Sequence, residues 1–164
     1  MATMMKRILE PRNKNRFLVE IYPNGAIDVP PVITDLVASV SGGGINVDVI
    51  EKRYLNHKKE FASMVNYEDL TIVFRPDESP TFDNFIREYM KLLKDPITGD
   101  MSPQANLDVD ILVILLDREG TEIAMWHYQN CWLKTWDGIN MDYSDTTSAA
   151  ECTTTWSVEL LRKL

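Results

Sequence analysis

The chain has 164 residues, 45% of them apolar and 26% charged, enough for one well-buried core and too few for two comfortable domains. Its 17 basic and 25 acidic side chains leave a net charge of −8, which predicts a soluble protein repelled by anionic membranes and by DNA. No window approaches a membrane span, Lys6 and Arg7 interrupt the N-terminus before a secretory apolar region forms, and two cysteines exclude a disulfide scaffold.

Composition fits an ordinary acidic protein of a reducing compartment. That is the commoner case; a surface that must pass near nucleic acid without sticking is the sharper reading, and composition alone does not choose between them. Cys131 and Cys152 both lie among apolar residues in strand patterns and read as buried small hydrophobes.

Residues 1–14 read as a flexible polar arm and residues 15–164 as the folded domain. Arg16 to Tyr22 alternates as a first strand with Phe17, Val19 and Ile21 inward, and Pro23-Asn24-Gly25 turns the chain. Pro30-Pro31 makes Ile27 to Ile33 an irregular or edge segment. Asp35 to Ser41 is a short strand, broken by Gly42-Gly43-Gly44 and resumed from Ile45 to Lys52. Residues Arg53 to Glu68 fit neither period and read as an extended loop or a long hairpin projecting from the body. Leu70, Ile72 and Phe74 mark the next strand, which Pro76 ends.

One helix follows. Ser79 reads as its N-cap, Pro80 suits its first position and Asp83 favours its positive end. Phe82, Phe85, Ile86, Tyr89, Met90 and Leu93 form one apolar face, and Asp95-Pro96 stops the helix after Lys91 and Lys94. After a loop from Thr98 to Ala105, Leu107 to Leu116 alternates at first, with Asp108 and Asp110 opposite Val109 and Ile111. It then turns apolar on both faces, which must both be covered. A hairpin turn at Asp117 to Gly120 leads into a long strand from Thr121 to Trp136. A turn at Asp137-Gly138 and a polar segment precede a last strand from Glu151 to Leu161. There Cys152, Thr154, Trp156, Val158 and Leu160 face one way, and Glu151, Thr153, Thr155, Ser157 and Glu159 the other. The fold class is therefore mainly β, an antiparallel barrel or sandwich with one flanking helix.

Chemistry is sparse. The glycine run at Gly42 to Gly44 lacks the Lys-Ser or Lys-Thr and the helix of a phosphate loop, so a flexible turn is the simpler reading. His57 and His127 have no partners at metal-ligand spacing, and no Gly-x-Ser-x-Gly elbow is present. Asp108 and Asp110 share a strand face, yet acid–base catalysis needs a third group and a cleft, so solvated charges are the simpler account. Trp126 and Trp132 share strand parity, and Trp156 sits on an apolar face. The tryptophans therefore read as core or subunit packing rather than as stacking platforms. No catalytic residue, metal or cofactor is expected.

The order of elements resembles the tail tube proteins of contractile-tailed bacteriophages, relatives of type VI secretion tube proteins. The likeness runs through NRFLVEIY, VIEKRYLNHKKEFASMVNYEDLTIVFRP, one helix, and EIAMWHYQNCWLKTWDGINMDYSD with TTTWSVEL, covering roughly residues 15 to 162. The resemblance implies a virion structural protein, assembled in the host bacterial cytoplasm, whose hexameric rings stack into a tube inside a contractile sheath. Its implied partners are copies of itself, the sheath protein, a tape-measure protein, a baseplate initiator and a tail terminator. DNA would pass through unbound, and no membrane insertion is implied. The family's projecting loop would here be Tyr54 to Asn66, making Tyr54, His57, Lys58, Lys59 and Phe61 candidate contacts to the neighbouring subunit or ring. Asp108, Asp110, Glu151 and Glu159 become candidates for a lumen or solvent face. The rival expectations are a baseplate tube initiator of the same fold, a secretion-device tube subunit and, from another class, a small-ligand β-barrel.

Overall fold

The computed structural model describes residues 12–164. Most of the arm expected over residues 1–14 therefore lies outside the described residues. The elements run β1 (Phe17–Pro23), α1 (Val32–Asp35), β2 (Val37–Gly42), β3 (Ile45–Tyr54), β4 (His57–Tyr67), β5 (Leu70–Phe74), α2 (Thr81–Leu93), β6 (Val109–Leu116), β7 (Glu122–Trp136), β8 (Cys152–Ser157) and β9 (Leu160–Lys163). A seven-stranded sheet has the order β1-β6-β7-β8-β5-β2, with β9 added beside β7, while β3 and β4 form a separate two-stranded sheet. Every recorded strand pair is antiparallel.

The mainly antiparallel fold with a flanking helix is as expected, but the sheet is not a closed barrel. Closure would pair β1 with β2, and the chain between them instead runs through Pro30-Pro31, which donate no hydrogen bonds, into α1. Ile27, Val29 and Ile33 are buried in that gap. Helix α1 is a short helix that the sequence reading, with its single helix, did not include.

Helix α2 covers the sheet with Phe82, Phe85, Ile86 and Tyr89, all buried. Phe82 stacks at 5.1 Å on Phe74, and Tyr89 meets the fully buried Trp156 edge-on at 5.9 Å. The Tyr89 hydroxyl donates to the Leu107 carbonyl at 2.7 Å and accepts from the Leu133 N–H at 2.9 Å, tying helix to sheet. Ser79 is not the N-cap. Pro80 takes that position, and the Ser79 hydroxyl is engaged with Asp77 at 2.7 Å and Thr81 at 3.2 Å. The Asp77 carboxylate wins because it is a charged acceptor two residues away.

The last strand expected from Glu151 to Leu161 is two strands. β8 pairs with β5 and with the end of β7, and after Val158-Glu159 the chain crosses to pair as β9 with Trp126–Gln129 of β7. Leu160 is consequently half-exposed rather than a core residue. The cause lies in β7, where Asn130 takes a φ of +52° and inserts a bulge opposite β6. Burial is rephased there, at Ala124 and Tyr128 before the bulge and at Cys131 and Leu133 after it. Trp126 and Trp132, despite equal parity, therefore fall on opposite faces of β7.

Candidate assembly interface

β3 and β4 leave the body through Gly42 (φ +80°) and Gly43 (φ +68°), a backbone path that residues with a Cβ resist. The hairpin base is latched by Gly43 N–H to Asp69 O (3.1 Å) and Glu68 N–H to Gly44 O (2.9 Å). Lys134 adds an ion pair to Asp69 at 2.8 Å. Beyond this base both strands are exposed along their whole length, apart from Tyr67. Of the two readings offered for this segment, the projecting hairpin is the observed one.

Its two faces differ. Alternation and register put Ile45, Val47, Val49 and Val65 on one face near the base, followed by Glu51, Arg53, Lys58 and Glu60 toward the tip. The opposite face begins polar, where Asn66 bonds Asp48 at 3.1 Å, and continues with Ile50, Phe61, Lys52, Lys59, Tyr54 and His57. Tyr54, His57, Lys59 and Phe61 thus share a face, with the Lys59 ammonium 5.1 Å from the Phe61 ring centre. Lys58 lies on the other face, held by Glu51 at 2.6 Å and Glu60 at 3.1 Å. These two carboxylates raise the Lys58 pKa. At the tip Leu55 takes a φ of +46° and projects fully into solvent. Sequence reasoning passed over Leu55, because a leucine in a hairpin turn carries no turn signal at all.

The acidic candidates separate. Asp110 is built into the β7 bulge: its carboxylate accepts from the Asn130 N–H at 3.1 Å and stands 3.2 Å from His127 Nε2. The Asn130 side chain donates to Glu159 at 2.6 Å and accepts from Asn24 at 2.9 Å, so Asp110 and Glu159 meet around one kink. Asp108 lies just before β6 and accepts from Gln104 at 3.0 Å. Glu151 sits at the other end of β8, paired with Arg75 at 2.9 Å. A single polar strand face through Glu151 and Glu159 does not exist, since the chain changes partner between them.

Register assembles a second polar surface. Thr155 faces Thr71 and Thr135, Thr153 faces Val73, and Ser41 and Ser39 extend the row onto β2. This hydroxyl-rich face lies opposite the core side that holds Ile72, Thr154 and Trp156. Thr153 and Thr155 alternate visibly in sequence, but their β5 partners come from a segment about eighty residues away. Among the described residues no group of His, Cys, Asp and Glu could hold a metal, and no helix is long and apolar enough to cross a membrane.

A family model described as the T4-like virus tail tube protein gp19 matches residues 13–159. No curated protein sequence matches the chain. Among solved structures, the anti-feeding prophage tube-terminating cap superposes with a TM-score of 0.71 at 19% identity, covering 100% of this chain and 99% of that one. A chain of the sheath–tube complex, in the extended state, of the extracellular contractile injection system PVC gives 0.65 at 19% identity, covering 96% and 93%. The SPP1 tail tube gives 0.60 at 8% identity, covering 93% and 78%. At these identities the superpositions speak for the fold.

Proposed function

The chain belongs to the family of T4-like virus tail tube proteins, and on that premise we propose that it is a non-catalytic subunit whose hexameric rings stack into the inner tube of a contractile tail or injection particle. The observation that carries this reading is the β3–β4 hairpin. A two-stranded sheet is marginal alone in water, yet this one leaves Ile45, Val49, Ile50 and Met64 exposed by 54%, 52%, 53% and 65%. Such a surface is built to be covered. The hairpin candidates Tyr54, His57, Lys59 and Phe61, on one face, and Lys58 on the other, contact the neighbouring subunit or ring in this proposal.

The sheet supplies the other half of the joint. Among the described residues β1 and β2 are edges with one partner each, and pairing them between copies would satisfy backbone groups left open along those edges. The outer face of β6 carries Leu112 and Leu116, half-buried on either side of the buried Ile114, so a neighbour could complete the cover at both ends. Asp108, Asp110, Glu151 and Glu159 remain proposed for the lumen or solvent face. The hydroxyl-rich surface of β2, β5 and β8 suits a conduit wall equally, being polar without positive charge to hold DNA. The sheath, tape-measure protein, initiator and terminator are the proposed partners.

The test is negative-stain electron microscopy of the purified chain with light scattering alongside. Extended hollow tubes are expected. Rings that never stack would mark an initiator, and a compact monomer at high concentration would overturn self-assembly.

A further inference from the structure

An apolar groove of about 720 Å³ runs along α2, away from the strand edges and the hairpin. Ile86, Met90 and Leu93 recur at i, i+4 and i+7 and form its floor. Met90, read from sequence as core, is 47% exposed there. The opposite wall is Trp136 and Ile139, the latter 57% exposed. The Trp136 indole N–H is buried without a hydrogen-bond partner.

One position on from the floor, Arg87, Lys91 and Lys94 repeat the same spacing and line one rim. Among the described residues Asp83 is the sole acidic one lining the groove. Glu88 approaches Lys91 at 3.5 Å and Arg87 at 3.6 Å on the exposed side, distances and exposures at which an ion pair is worth little. An apolar floor with a basic rim, on a chain whose net charge is −8, is a local reversal of the surface field. The hairpin tip of a second copy, where Lys52, Arg53 and Lys59 remain beyond the Lys58–Glu51–Glu60 cluster, would bring like charge to that rim.

We infer that this groove docks an acidic amphipathic helix of another protein. Helix-in-groove recognition reads apolar anchors at i, i+3 or i+4 and i+7, and the floor offers that spacing. The 13 residues of α2 extend about 20 Å, room for an occupant of about four turns. Its carboxylates would meet Arg87, Lys91 and Lys94, setting orientation and selecting against basic partners. The inference stands on α2 and the Trp136 wall and does not need the ring arrangement proposed above.

The experiment titrates the full chain into two fluorescent synthetic helices, each with leucine on one face, one bearing glutamate and the other lysine on the opposite face. Nonspecific attraction to an acidic protein favours the lysine helix, so the opposite preference reports the groove. We expect the glutamate helix to bind at least about tenfold more tightly, with the margin narrowing as salt is added. The triple reversal Arg87→Glu, Lys91→Glu, Lys94→Glu should invert the preference, and Met90→Asp, at an exposed position, should weaken both helices while leaving circular dichroism unchanged. Equal binding, a lysine preference, or binding indifferent to Met90→Asp overturns the inference. So does concentration-dependent self-association that Met90→Asp abolishes, which would assign the groove to a second copy.

Discussion

At the residue scale, Leu55 carries a cost that the isolated chain does not recover. Leu55 holds a left-handed backbone that only glycine, asparagine or aspartate adopt readily, and its side chain is wholly in water. Leu55→Asn should leave the fold intact or stabilise it by about 1 kcal/mol while weakening self-association. Urea unfolding beside light scattering reads both, and assembly as strong as that of the unmodified chain would strip Leu55 of a contact role. Thr154 is different. Fully buried, it donates to the Ile72 carbonyl and accepts from the Trp156 indole, both at 2.9 Å. Thr154→Val keeps the shape and orphans both groups, so it should cost about 1–3 kcal/mol, part of it absent in a Trp156→Phe background by double-mutant cycle.

Two buried groups also set an alkaline limit. Burial pushes the Cys131 thiol up to about 12, with the charges of Asp110 and Asp108 adding to it. Burial likewise carries the Tyr89 hydroxyl up to about 12, against the lowering effect of the Leu133 N–H. The folded chain thus keeps protons that the unfolded chain releases from about pH 9 for the thiol and about pH 10 for the phenol. Stability is therefore whole below about pH 9 and declines as pH rises toward about 12. Urea midpoints across this range should fall, and Cys131→Ala should flatten part of the slope; an unchanged slope would detach it from Cys131.

At the scale of elements, the hairpin is separable. Excising residues 46–66 with a short glycine–serine turn should leave thermal unfolding of the body within a few degrees and abolish assembly. The reason is that the base latches at Gly43 to Asp69 and Glu68 to Gly44 survive. A body that no longer folds would make the hairpin part of the core. How far such elements could be read from sequence follows from the range of their causes. β1, β5 and α2 were legible because period 2 and period 3.6 burial are local properties, and Val19, Ile72 and Phe85 are buried as their patterns require. The hairpin was legible as a projection, through the failure of any buried period between Arg53 and Glu68. The Asn130 bulge was not, since its cause is the Asp110 carboxylate and the Asn24 and Glu159 side chains, which meet only in the folded sheet. With the bulge went the break after Val158 and the separation of Glu151 from Glu159. The α2 groove was hidden for the opposite reason: Met90 fits the helical apolar stripe, and pattern alone does not distinguish a stripe facing core from one bordering a groove.

At the scale of the whole molecule, charge opposes the assembly that the apolar surfaces favour. Each chain carries −8, so closing a ring gathers like charge within distances comparable to the Debye length of about 10 Å at 0.1 M salt. Two kinds of adhesive then predict opposite responses to salt. If the basic hairpin residues met acidic patches on a neighbour, screening would weaken the joint. However, Lys58 is already satisfied by Glu51 and Glu60 within its own hairpin, and the apolar side chains of Ile45, Val49, Ile50, Tyr54, Leu55 and Met64 are each more than half exposed there. Apolar burial is barely screened, whereas the self-repulsion of acidic subunits is. Assembly, followed by light scattering, should therefore strengthen between about 10 mM and about 200 mM sodium chloride. Dissociation by salt over that range would put ion pairs, and the hairpin's remaining cations Lys52, Arg53 and Lys59, at the centre of the joint instead.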